Sequence, residues 1–291
     1  MVVAVLAVVL SFIMGYSMLA TREYASRIDT HRSNYLEAVR AQLETLYQQR
    51  AGDIDADLSA AAWNDASLWM REANIQPRWD LQVLVSERQV DPRTGVRFRR
   101  LVAFLPSTEH EANPPGWDPT TGQFIGCTNP DPEVPCEEPT VILLSGEDIQ
   151  RVNYERAHDQ VEAVAARATS FFKARMLLIP GAPVDINHFR APFAPVLAPC
   201  MWTTEALYLP CLDTYTDLNS PDDEAGIRVR QLLGFSADNL VNPWGLSIQA
   251  SNLEDSNAAP FSPLTFEPFS MSFRSPLPWG DFIQIHAIQP L

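Results

Sequence analysis

The densest group of side chains able to do chemistry is one acidic run, "LDTYTDLNSPDDEAG", which brings Asp213, Asp217, Asn219, Asp222, Asp223 and Glu224 into a short stretch. Oxygen-rich loops suit calcium, which takes about six to eight oxygen ligands, and Asp213, Asp217, Asn219 and Asp222 are the candidate set. Their spacing is not that of an EF-hand. A solvated acidic turn and general acid–base work are the competing readings.

The four cysteines fall as two near neighbours, Cys127 with Cys136 in "CTNPDPEVPC" and Cys200 with Cys211 in "CMWTTEALYLPC". Short Pro-containing loops of this kind suit local disulfides in an oxidising compartment; free thiols are the second reading. Zinc is the third, although neither pair has C-x2-C spacing and no histidine stands at ligand distance in the sequence.

Catalytic patterns are scarce. His31, His110, His158, His188 and His286 stand singly, and the chain has no H-E-x-x-H pair, no G-x-S-x-G turn, no P-loop and no G-x-G-x-x-G. With twelve glycines in all, phosphate-cradling loops are poorly supplied. His286 sits between Ile285 and Ile288 and is expected to cap a strand face. No catalytic residue is therefore assigned. The net charge of −15, from 36 acidic against 21 basic side chains, repels phosphate backbones and sets nucleic acid aside as a partner.

The elements that hold these residues begin with "MVVAVLAVVLSFIMGYSMLA", twenty residues without a charge. A helix of that length spans a hydrocarbon core of about 30 Å at about 1.5 Å per residue. The segment lacks the positive n-region and small-x-small site of a cleaved signal. Arg22, Arg27 and Arg32 follow it with nothing basic before it, which alone would keep the body in the cytoplasm, whereas the cysteines argue for the outside. One resolution is a short basic leader upstream of Met1, which would restore the usual asymmetry. Helical periodicity then runs on through "REYASRIDTHRSNYLEAVRAQLETLYQQRA", with Tyr24, Ile28, Tyr35, Val39, Leu43 and Leu46 on one stripe, until Gly52 and "DIDADL" close it.

Beyond the helix, Leu58, Ala62, Ala66, Trp69 and Ala73 predict a second short helix. Alternation on both sides of "DPRTG" predicts a β-hairpin. Residues 106–139 read as a stapled Pro-rich loop. The stretch from Ser145 to "PG" reads as a long helix, with Ser145 as its N-cap. Three alternating runs, "GLSIQASN", "FSMSFRS" and "DFIQIHAIQ", predict an antiparallel sheet near the C-terminus. The "NPWG" and "LPWG" turns each place a rigid proline, a large anchor and a permissive glycine just before such a run. A structural role is expected for them, with a ligand-stacking platform as the other reading.

Taken together these pieces resemble a type IV pilin or pseudopilin, in particular a large minor pilin of the kind found in thin conjugative pili. The first fifty residues resemble the prepilin helix after its processing site, and "LVNPWGLSIQASN", with Asn242, Pro243, Trp244 and Gly245, resembles the Asp-Pro-Trp-Gly turn of many pseudopilins. Val5 stands where the mature family helix carries glutamate, and Asn242 replaces the common aspartate.

The resemblance implies an α+β fold: a long N-terminal helix, membrane-spanning in its first half, packed on an antiparallel sheet head, with an extra helix and Pro-rich disulfide loops. It implies five segments: 1–20 as the membrane and assembly half-helix, 21–52 as its amphipathic half, 53–144 as an α+β unit, 145–181 as a second long helix, and 182–291 as a β-rich head. It also implies a non-enzymatic subunit held in the inner membrane with an extracytoplasmic body. Such a subunit polymerises with other pilin-like subunits through a helix carrying Val5, Val9, Ile13 and Tyr16, and ends at the cell surface. No cofactor beyond calcium is expected. A single-pass anchor with a coiled-coil stalk under a sensory or interaction domain is the alternative, and an envelope enzyme the third reading. The expected structure has the helix unbroken past residue 45 and its second half on the C-terminal sheet.

Overall fold

The computed structural model describes residues 2–106, 116–126, 140–178, 215–251 and 270–288, with side chains described from Met14 onward apart from those of 126 and 175–178. Helix α1 runs Val2–Ile54, and its only non-helical backbone is at Arg50, with φ −117° and ψ 18°. Every side chain from 14 to 27 is exposed, including Met14, Tyr16, Met18, Leu19 and Tyr24. Burial starts as a stripe at Leu36, Val39, Leu43, Leu46 and Tyr47, at the three-and-four spacing of one helix face. Among the described residues no helix is long and apolar enough to cross a membrane. Of the uncharged run 1–20, only the last seven side chains are described.

The chain forms two compact units, Met1–Arg50 with Ser59–Glu147, and Ala51–Leu58 with Asp148–Leu291. In the N-terminal unit, a 3-10 turn at Ala62–Asn64 and helix α2 (Ala66–Glu72) stand where one short helix was expected. Asp65 makes the break: its backbone is extended and its carboxylate accepts from Ser67 N–H, so the chain restarts as a new helix there. Leu58, expected on one side of that helix with Trp69, is fully exposed and lies outside both elements.

Strands β1 (Gln82–Val85), β2 (Gln89–Val90), β3 (Arg97–Phe98) and β4 (Arg100–Leu105) form the hairpin that the alternation predicts, with β2 on β3 and β1 on β4. Its tip is closed by Gly95, whose φ of +71° lets its N–H reach the Asp91 carbonyl. A small hairpin, β5 (Gly116–Asp118) and β6 (Gln123–Gly126), follows. Strand β7 (Thr140–Ser145) completes an antiparallel sheet of order β1-β4-β7.

The second half of α1 belongs with this middle sheet and not, as the pilin resemblance led us to expect, with the C-terminal one. Three side chains explain the choice. The Tyr47 hydroxyl accepts from Arg99 N–H at 2.9 Å. Arg32 donates to the Pro106 carbonyl at 2.8 Å. Tyr35 donates to the Gln76 carbonyl, accepts from Arg78 N–H and meets Trp79 edge-on at 5.4 Å. The last clasp holds Trp79 and Asp80 at positive φ, a conformation few non-glycine residues adopt unaided.

In the C-terminal unit, helix α3 (Glu147–Leu178) starts where Ser145 Oγ accepts from Glu147 N–H. It lays Val161, Val164, Ala165, Ala168 and Phe172 against a second sheet. That sheet is built from β8 (Thr216–Asp217), β9 (Gln249–Ser251), β10 (Ser270–Pro276) and β11 (Phe282–Ile288). Its order is β11-β10-β9-β8, antiparallel throughout, with Met271, Phe273, Ala250 and Ala287 facing the core. Helix α4 (Glu224–Leu233) adds Val229 and Leu233 to the same core.

Three turns of the N-terminal unit hold aspartates whose charged form is favoured by local hydrogen bonds. The hydroxyls of Ser67, Thr94 and Thr121 hold Asp65, Asp91 and Asp118 below the ordinary carboxylate range, with a backbone N–H helping each. A carboxylate depressed in the folded state stabilises above its unfolded value, near about 3.9, and that contribution is lost as pH falls through the lower folded value. As pH falls from about 5 through the lowered folded values, the turns at 65–68, 91–95 and 118–122 should therefore lose amide protection, and Asp118→Asn should flatten the response at its own turn. Protection that stays constant across this range in the wild-type chain refutes the assignment.

Candidate functional site

Most of the acidic run lies within the described residues. Asp223 is the N-cap of α4, its Oδ1 accepting from Ala225 and Gly226 N–H at 3.0 Å each, with Glu224 in the first turn beside the helix's positive end. Asp217 Oδ1 accepts from Gln249 at 2.7 Å, and Gln249 accepts from Arg274, whose guanidinium lies 3.6 Å from the centre of the Tyr215 ring. Asn219 N–H donates to Ser247, and Asp222, exposed, donates its N–H to Ser220. Asp213 lies outside the described residues. The engaged atoms are those that cap, pair strands and order a turn.

Among the described residues, the one grouping of three or more acidic or histidine side chains close enough to share an ion is His158, Asp159 and Glu162, with ligand atoms within 4.8 Å of one another. All three are exposed on α3. Asp217 and Asp222 are not part of it. A hydroxyl beside an imidazole occurs at Ser272 and His286, 2.9 Å apart across β10 and β11. Ser272 is buried and His286 is also bonded to Gln284, so the hydroxyl faces no open space where a substrate would stand. The histidine caps a strand pair, as its alternation with isoleucines suggests. Cys127, Cys136, Cys200 and Cys211 lie outside the described residues.

The two Trp-Gly turns meet. Trp244 and Trp279 pack edge to face with ring centres 5.7 Å apart. Asn242 organises its turn with all its polar capacity: Oδ1 accepts from Trp244 and Leu246 N–H, while Nδ2 donates to Ser275 Oγ and to the Pro276 carbonyl. Pro243 and Gly245 shape the bend, Gly245 at φ +80°. The asparagine is therefore required as such, because an aspartate would place a carboxylate oxygen against a carbonyl in a site that is 4% exposed. Asn242→Asp should cost about 1–3 kcal/mol in denaturant unfolding followed at the C-terminal unit. Unchanged stability would show that the two donated bonds do not matter.

Of the helix residues expected to assemble, Tyr16 is 77% exposed; the side chains of Val5, Val9 and Ile13 lie outside those described. The geometry thus defines an α+β protein with a long N-terminal helix and antiparallel sheets. No family model, curated protein or solved structure matches the chain.

Proposed function

We propose that this chain is a non-enzymatic, pilin-like subunit, held in the inner membrane by the first half of α1 with its body outside the cytoplasm. It then assembles with other pilin-like subunits through that half-helix into a surface fibre. One observation carries the reading. A single helix is exposed on all sides from 14 to 27, with five large apolar side chains uncovered, and is buried along one stripe from Leu36 on. Covering one such side chain is worth about 1.5–3 kcal/mol, so this stretch together with the aliphatic run before it calls for lipid or the same helix of other copies. Apolar helices associate by close packing when lipid is exchanged for protein, and an uncharged helix can make that exchange. Calcium at the acidic run is not needed for this role.

The test is fractionation of the source cells together with cysteine cross-linking through Val9→Cys and Tyr16→Cys. The expected result is the chain in the inner membrane and in sheared surface fibres, with cross-linked ladders, and loss of fibres but not of membrane retention in Tyr16→Asp. A chain confined to the membrane as single copies would replace the proposal with an anchored sensory or interaction domain.

A further inference from the structure

Eight residues of the C-terminal unit come from the far side of the N-terminal sheet in sequence. Ala51–Leu58 follow directly on Arg50, where the α1 backbone leaves helical geometry, and they belong with Asp148–Leu291. Ala51, Ile54 and Asp55 are buried there.

Gln150 grips this segment. It is fully buried, and its Nε2 donates to the Ala51 carbonyl at 2.9 Å and to Asp55 Oδ2 at 2.7 Å, while its Oε1 accepts from Trp244 Nε1 at 2.8 Å. The Ala51 carbonyl is among the last of α1, which have no partner within the helix, so Gln150 is the C-terminal cap of α1 and the support of the Trp244 turn at once. Gly52 lies close under Trp244, where a Cβ would stand 3.2 Å from the Trp244 carbonyl oxygen. Asp57 N–H donates to the Pro278 carbonyl, in the other Trp-Gly turn. The segment thus touches both turns whose tryptophans pack on each other.

We infer that Ala51–Leu58 is a clasp on the C-terminal unit, locked by Gln150, so that the two Trp-Gly turns close only when the last turn of α1 is seated. The clasp makes closure of the two turns depend on residues 51–58 of the same unit. A chain whose clasp is unseated uncovers Trp279 and loosens the partly buried Trp244. The clasp stands on contacts of the C-terminal unit alone.

Hydrogen exchange on the full chain tests it. In Gln150→Ala the amides of 52–58, 243–246 and 279–281 should exchange about tenfold to a hundredfold faster, as expected when a buried bridging group is lost, while those of β4 and of 36–47 keep their rates. Val229→Ala, a cavity in the same unit away from the clasp, should speed exchange in α4 and leave 52–58 protected. If circular dichroism shows that Gln150→Ala loses secondary structure, Gly52→Ala serves in its place with the same expected pattern. Unchanged rates at 52–58, or equal acceleration at 52–58 and β4, overturn the clasp. Fibre formation is not a readout here, so failure of either proposal leaves the other standing.

Discussion

Trp69→Ala should lower the unfolding free energy of the N-terminal unit by about 3–5 kcal/mol, the usual cost of deleting a fully buried tryptophan ring. Trp69 is 0% exposed. Its ring packs on Trp63 with centres 5.1 Å apart and on Tyr47 at 5.6 Å, and its Nε1 donates to the Trp63 carbonyl at 2.8 Å. Removal empties the junction of α1, α2 and the Trp63 turn and leaves that carbonyl without its donor. Denaturant unfolding, with hydrogen exchange on β4 as the local readout, measures the loss. A cost below about 1 kcal/mol would mean that the cluster collapses around the gap, and would sink its assignment as the centre of the unit.

Gly146→Ala is the second large effect, and its sign comes from crowding. A Cβ at Gly146 would fall within the Tyr47 ring, at Cζ and the hydroxyl. Neither side can yield easily. Tyr47 is 0% exposed with its hydroxyl on Arg99 N–H, and Gly146 N–H donates to the Arg99 carbonyl at 2.9 Å. Overpacking a closed core costs about 1–3 kcal/mol and more when backbone must move, which is the case here. The alanine should therefore destabilise by at least the upper part of that range. On a Tyr47→Leu background it should cost far less, giving a coupling of about 0.5–3 kcal/mol in a double-mutant cycle. Additive effects would show that the clash is relieved elsewhere.

Local sequence chemistry made part of this fold legible. Alternation around "DPRTG", the Ser145 cap and the three alternating C-terminal runs each correspond to an element, because a period of two and a capping hydroxyl act over a few residues. Two things were hidden. Helix α4 begins at the end of a run that reads as acidic loop, although Asp223 as N-cap with Glu224 in the first turn is a helix-start signal, and that signal could have found it. The partner of the second half of α1 was hidden for a different reason. An apolar stripe states that it will be buried, not against which of two sheets, and Tyr47 reaching Arg99 joins residues 52 positions apart that no periodicity connects.

The candidate site was legible in its parts and not in their meeting. Asn242 to Gly245 and the second Trp-Gly turn were visible as turns, yet nothing local indicates that Trp244 and Trp279 stack, or that Gln150, an ordinary helix residue in sequence, bonds to the end of α1. Buried polar bridges between distant segments leave no pattern, because each partner satisfies only its own helix or turn in the chain.

The exposed stretch of α1 also sets a distance. From Ala20, where the uncharged run ends, to Arg32, the first helix residue bonded to the N-terminal unit, the rise is about 18 Å at about 1.5 Å per residue. Counter-ions damp a field over about 8 Å at physiological salt. On the proposed membrane-anchored reading, a chain carrying −15 would be pushed from an anionic surface at short range, and a helical spacer of this length standing upright would set residues from Arg32 on about two such decay lengths away, where salt has erased most of the repulsion. On that reading the helix would serve as an electrostatic standoff as well as a handle.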